Sequence, residues 1–189
     1  MLAVFLAQGF EEIEAIATID FLRRCDLPVH VIPIGGTQIS PSATVVTGSH
    51  DISVACEPVT KSINWAEYDA VILPGGLPGT YNLEASTLVQ SALEVAHRNG
   101  KLIAAICAAP SILAKMKFLA GKRATSFPDF EDILTENGAN YTGDFVAADG
   151  NIITGKGAGV TIDFANAIAA YFVGDEKALA VRKSMQPKY

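Results

Sequence analysis

Three short runs of the chain are apolar without interruption: LAVFLA (2 to 7), AVIL (70 to 73) and LIAAI (102 to 106). A strand with one wet face alternates between apolar and polar residues. A strand covered on both faces does not, so these runs predict buried strands of a parallel sheet. Each leads, directly or through a glycine-containing loop, into a helical pattern, at about 11 to 25, 84 to 99 and 107 to 117. Strands alternating with helices predict a doubly wound α/β layer. Between the first two units, VHVIPI (29 to 34) reads as a further strand, and the stretch 38 to 56 as a small hairpin turning at TGSHD. Later, KRAT (122 to 125) reads as a strand and FVAADGNIIT (145 to 154) as a hairpin turning at DGN. The segment 161 to 174 predicts a helix stopped by Gly174, and 175 to 185 a final helix with Asp175 as N-cap.

Length and composition narrow this picture. The 189 residues suit one domain with a sizeable core, so 1 to 189 is read as one unit without linker or repeat. Half the residues are hydrophobic and 18% are charged, which argues for a globule and against disorder. A formal net charge of -6, with the 14 Lys and Arg scattered, disfavours a nucleic-acid groove. No apolar stretch reaches the roughly 18 residues of a membrane span. The first residues carry acid where a signal peptide needs base. Three cysteines without a CxxC predict free thiols in a reducing compartment, hence the cytoplasm.

Cys107 lies where LIAAICAAPSIL changes from strand to helix. A free cysteine in an apolar run is commonly a small core residue. Here, however, Ala105 and Ala109 flank it at the spacing of a nucleophile elbow, a sharp turn that needs small residues two before and two after the nucleophile. Pro110 is tolerable in the first turn of the helix that follows. A thiol at the carboxyl edge of the sheet and at a helix N-terminus is expected to have a lowered pKa. Core filling and nucleophile both remain open on this segment alone.

Two other segments point to the same edge. Winding residues 9 to 25 at about 100° per residue puts Glu12, Asp20, Arg23 and Arg24 on one side and Glu14 on the other, with Ala17, Thr18, Phe21 and Cys25. Dipole compensation accounts for Glu11 and Glu12; Glu14 faces the core, where its carboxyl should be protonated and able to donate to a sulfur anion. The pair Gly75 and Gly76 in LPGGLPG offers main-chain N–H groups that, with that of Ala108, suit an oxyanion hole. The loop TGKGAGVT (154 to 161) precedes a helix and could cradle an anion. Neither loop has Walker or Rossmann spacing, so no nucleotide or other cofactor is implied. The three histidines show no ligand spacing and supply no evident imidazole base, and no metal site is predicted.

Taken together, GFEEIE, LPGG, AAICAAP and GKGAGVTIDFA resemble, in order and nearly end to end, the DJ-1/ThiJ/PfpI superfamily and its DJ-1-like branch. The resemblance implies a class I glutamine amidotransferase-like fold: a flavodoxin-like three-layer α/β/α sandwich with a mostly parallel sheet and a nucleophile elbow. It implies Cys107 as nucleophile, Glu14 as its protonated partner, and the N–H groups of Gly75, Gly76 and Ala108 around them. It further implies a homodimer and action on a small reactive carbonyl, such as methylglyoxal, or on a glycated protein or nucleotide. An oxidation-sensing or chaperone role on the same cysteine is the alternative. The chain departs from the family twice. Phe127, in TSFP, stands where many members have histidine, and His50, in GSHD, where relatives often have arginine; both are candidates for lining the site.

Overall fold

The computed structural model describes residues 1–59 and 62–186. Its centre is a six-stranded sheet formed by β1 (Leu2–Ala7), β2 (Val29–Ile34), β6 (Ala70–Leu73), β7 (Leu102–Ile106), β10 (Val146–Asp149) and β11 (Ile152–Gly155), in the order β10-β11-β7-β6-β1-β2. All neighbours run parallel except β10, which turns back on β11 through a glycine with positive φ, Gly150. The three uninterrupted apolar runs are β1, β6 and β7, buried along their whole length.

Their alternate residues feed two cores. Ala3, Phe5, Val71, Leu73, Ile103 and Ala105 face α2 (Gly79–Ala85), α3 (Thr87–Arg98), α4 (Pro110–Lys115) and α5 (Glu131–Glu136). Val4, Leu6, Ile72, Ala104 and Ile106 face α1 (Glu12–Arg24), α6 (Thr161–Val173) and α7 (Asp175–Ser184). Helices thus cover both faces, giving a three-layer α/β/α sandwich with a mostly parallel sheet. Burying a Leu, Ile or Phe side chain contributes about 1.5–3 kcal/mol, so these rows dominate the favourable side of folding.

Several elements differ from the sequence reading. The helix expected near 84 to 99 is preceded by α2, and the break falls at Ser86, whose hydroxyl accepts the Val89 N–H and caps α3. The hairpin of 38 to 56 is the β4–β5 part of a three-stranded antiparallel sheet made of β3 (Thr37–Ser40), β4 (Ala43–Thr47) and β5 (Ser53–Cys56). Strand β8 (Arg123–Ala124) pairs with β9 (Asn140–Tyr141) outside the main sheet. Asp175 is not the N-cap of α7: Gly174, at φ 81, both ends α6 and occupies the cap position, leaving Asp175 inside the first turn. No helix among the described residues is long and apolar enough to cross a membrane.

Candidate active site

In the sheet order, the chain leaves β1 towards β2 on one side, while β6 leads to β7 on the other. Connections that part in this way open a crevice at the carboxyl ends of the strands, the usual ligand position in α/β sheets. The loops after β1, β6 and β7 converge there. Cys107 follows β7 with φ 65, a left-handed conformation that a residue with a side chain adopts only when its surroundings enforce it. Those surroundings are visible. The Cys107 N–H donates to the Gly155 carbonyl at 2.9 Å, and its carbonyl accepts the Phe127 N–H at 2.8 Å. The Ser111 hydroxyl donates to the Ala108 carbonyl at 2.7 Å. Ala105 and Ala109 are fully buried, so the turn tolerates no larger side chain at either place without rearrangement. The glycine loop of 154 to 161, a possible anion cradle by sequence, thus braces the elbow through Gly155.

Glu14 is completely buried on α1. Glu11, the N-cap of α1, accepts the Glu14 N–H on its own carboxylate at 2.7 Å. The Glu14 Oε2 accepts the Gly75 N–H at 2.8 Å, while Oε1 is buried with no hydrogen-bond partner among the described residues. The carboxyl lies beside the Cys107 thiol, and each of the two groups shifts the other's proton affinity. Gly75 has to be glycine: a Cβ there would stand 2.7 Å from both Cys107 Cβ and Glu14 Oε2. Its N–H, expected in the oxyanion hole, is instead spent on holding Glu14. The donors that face the sulfur are the N–H groups of Ala108 and Gly76.

The electrostatics correct a second expectation. The thiol pKa is not lowered; burial, and then the neighbouring Glu14 charge, push it up to about 12. The helix N-terminus invoked to lower it belongs to a six-residue helix that starts only at Pro110, so its dipole is weak and displaced from the sulfur. Burial also pushes Glu14 up to about 7, against the lowering effect of the adjoining Cys107 thiol and the Gly75 N–H. Two anions side by side are disfavoured here, so the pair keeps a proton between them at neutral pH.

The two departures from the family behave differently. Phe127 is joined to Cys107 through its main chain; the residue is 42% exposed, and its ring edge lies next to Gly157. The His50 imidazole is turned away to Glu12 Oε2, 2.9 Å from its Nδ1, and is not bonded to Cys107. His30 bonds the Tyr68 hydroxyl and His97 stacks on Phe118. Glu12, placed by helical phase on the polar side of α1, is buried: the turn between β4 and β5 folds over it, and its oxygens accept from His50 N–H, Ser49 Oγ and His50 Nδ1. Nothing local to α1 signals this, because the covering turn is distant in sequence. Glu11, Glu12 and His50 bring three ligand-type atoms within 4.8 Å of one another, but these bonds already occupy both oxygens of Glu12. A cleft of about 470 Å³ between α1, β2 and β5, lined by Ile16, Asp20, Arg23, His30 and Cys56, lies away from Cys107 and shares no residue with the constellation above.

Comparison with known proteins gives the same frame. The DJ-1/PfpI family model matches residues 2–171. Protein dj-1beta of Drosophila melanogaster is 37% identical over 98% of this chain and 96% of its own length, and its crystal structure superposes with a TM-score of 0.88 over 100% of this chain and 98% of that one. The oxidized DJ-1 of Toxoplasma gondii, 29% identical, also gives a TM-score of 0.88, covering 100% of this chain and 98% of that one. The glutathione-independent glyoxalase DJR-1.2 of Caenorhabditis elegans is 31% identical over 93% of this chain and 89% of its own length. In sequence and in fold, from β1 into α6, the chain belongs to the DJ-1/PfpI family.

Proposed function

We propose that this protein is a cofactor-free cysteine enzyme acting on reactive carbonyls, methylglyoxal-like dicarbonyls or their early adducts with proteins and nucleotides. The observation that carries the reading is the Cys107–Glu14 pair, with the N–H groups of Gly76 and Ala108 facing the sulfur. A relative named a glutathione-independent glyoxalase supports the substrate class, and where glutathione is dispensed with, a protein thiol can take its place. Cys107 would serve as that thiol.

The chemistry follows from the geometry. Ionised Glu14 takes the thiol proton as the sulfur bonds to the aldehyde carbon, and the carbonyl electron pair moves onto oxygen. The Gly76 and Ala108 N–H groups stabilise that oxyanion, and Glu14 returns the proton to it, completing a hemithioacetal. Phe127, lacking an ionisable side chain, leaves Glu14 as the proton carrier beside the sulfur. Cys107→Ser should abolish consumption of methylglyoxal, measured as disappearance of the dicarbonyl; undiminished consumption would refute the proposal.

A second reading rests on the same pair, and the oxidized Toxoplasma relative favours it. In it, two equivalents of hydrogen peroxide convert the Cys107 thiol to a sulfinate with release of two waters, and protonated Glu14 holds the product. Mass spectrometry after mild peroxide treatment tests it, and absence of selective dioxygenation at Cys107 would reject it. We also read the chain as a cytoplasmic homodimer. Cys25, Cys56 and Cys107 are free thiols, as a reducing compartment requires. Ile13, Ile16 and Ile52 stand exposed near the start of α1 and the β4–β5 turn, an apolar surface that a second copy would cover.

A further inference from the structure

The two N–H groups facing the sulfur belong to two peptide units, Gly75–Gly76 and Cys107–Ala108. In a trans peptide the C=O and the N–H point in opposite directions, so whatever holds the carbonyl aims the N–H. Both carbonyls are held. That of Gly75 accepts the Glu11 N–H at 2.9 Å, and that of Cys107 accepts the Phe127 N–H at 2.8 Å.

We propose that Glu11 and Phe127 are positioning residues: their main-chain N–H groups fix and polarise, from behind, the two peptide units whose N–H groups stabilise negative charge at Cys107. Each forms a chain of two hydrogen bonds, and a donor whose carbonyl is itself accepting is a stronger donor. The arrangement on the Glu11 side is enforced by sterics. Gly76 has φ 92, and a Cβ there would collide with the Glu11 main-chain nitrogen and come within 2.7 Å of the Gly9 carbonyl. Glu11 does more than brace Gly76, because its carboxylate simultaneously caps the Glu14 N–H. One residue therefore ties the oxyanion donor to the helix turn that carries the acid. On the other side, Phe127 acts through its backbone, which gives position 127 a function independent of whether its side chain is aromatic or imidazole.

The proposal rests on Cys107 being the reacting atom and not on the identity of the carbonyl. It is tested by alkylating the full chain with iodoacetamide across a pH series and reading the Cys107 peptide by mass spectrometry. Cys25 and Cys56 are buried and are read on separate peptides. Phe127→Pro removes the N–H. The native φ of -58 and ψ of 140 lie in the range open to proline and to a residue preceding Pro128. A second variant, with the α-hydroxy analogue of phenylalanine at 127, replaces the N–H by an ester oxygen and keeps the ring, so a folding failure of the proline variant does not leave the question open. Glu14, the titratable group that acts on the sulfur, and Glu11, which acts on Glu14, are unchanged in both. The expected result is a higher pH midpoint and alkylation about tenfold slower near neutrality in both N–H-less variants, with the midpoint unmoved in Phe127→Ala. The proposal is overturned if the proline or ester variant alkylates with the midpoint and rate of Phe127→Ala. Absence of dicarbonyl turnover alongside the expected shift would instead reject the substrate reading and leave this one standing.

Discussion

Glu12 and Glu14 lie two residues apart in the first turn of α1, and both are buried, at 7% and 0% exposure. Burial opposes the charge on each, yet the outcomes are opposite. Around Glu12, the His50 side chain and the main-chain N–H groups of His50, of Glu12 itself and of Ile52 outweigh burial and hold the carboxyl below its usual range. Glu14 receives one N–H, from Gly75, and sits beside the Cys107 thiol, and burial pushes it up to about 7. Depth and donors act together: the deeper carboxyl with fewer donors becomes a proton carrier poised near neutrality, and the shallower one with more donors a structural anion. The fold delivers those donors differently because Glu12 faces the β4–β5 turn, rich in free N–H groups, whereas Glu14 faces the sulfur and the glycine after β6.

The largest effect is expected from Glu14→Gln, which keeps an acceptor for the Gly75 N–H but cannot carry a proton. Dicarbonyl turnover should fall by about 10²–10⁴, the usual contribution of a positioned acid–base group. Stability should move the other way. The folded pKa of about 7 lies above the ordinary 4.5, so the folded state binds the proton more tightly and the ionised carboxyl destabilises it. That penalty is absent below 4.5, grows as pH rises to about 7 and is then constant, reaching about 3 kcal/mol. Urea unfolding at pH 4 and pH 8 should therefore show the glutamine variant gaining on the parent only at pH 8. Equal differences at both pH values would mean that Glu14 titrates normally.

How far such a contrast can be read without coordinates depends on how local its causes are. Strands β1, β6 and β7 were legible because residues buried on both faces leave no polar position. Glu14 was legible from helical phase, and the elbow from the small residues at 105 and 109. Glu12 has the outward phase the winding predicts, but its burial comes from residues 48 to 52 folding onto it, a contact that no periodicity encodes. Donor and acceptor pairing is likewise invisible along the chain: LPGG announces free N–H groups at a sheet edge without saying that Gly75 donates to Glu14 while Gly76 faces the sulfur. The thiol pKa was misread for a related reason. Helix position is a sequence property, whereas the desolvation that outweighs it depends on everything packed around the site.

Glu12→Gln gives a smaller effect and sharpens the contrast. Every group facing Glu12 is a donor, at 2.7 Å from His50 N–H, 2.9 Å from His50 Nδ1, 3.2 Å from Ser49 Oγ and 3.4 Å from Ile52 N–H. A glutamine offers one accepting oxygen and turns an NH₂ towards the remainder, so at least one donor pair is set against another. The expected loss is about 1–3 kcal/mol of stability with Cys107 alkylation near that of the parent. Because the Glu12 pKa is lowered, the stabilisation it provides is present above 4.5 and lost as pH falls through its folded value; the glutamine and parent proteins should converge in acid. Alkylation falling as strongly as in Glu14→Gln would erase the distinction between the two carboxyls.

The smallest effect is expected from His50→Ala. The imidazole is 70% exposed, and its ion pair with Glu12 is weakened by solvent. The substitution keeps the His50 main-chain N–H on Glu12 Oε1, the shorter of the two His50 bonds. The pH dependence nevertheless identifies it. Bonding to Glu12, and then the charge of that carboxylate, raise the His50 pKa above 6.5. Its contribution is therefore fully present below 6.5 and lost as pH rises through the raised folded value. Amide hydrogen exchange in residues 48 to 52 should separate the alanine variant from the parent at pH 6, with the difference shrinking in alkaline solution once intrinsic exchange rates are corrected for. Glu12→Gln should show the reverse trend, departing from the parent as pH rises out of acid. Opposite signs from two groups in one hydrogen-bonded pair would establish that Glu12 is held as an anion, against a neighbour two residues along that is held ready to give its proton away.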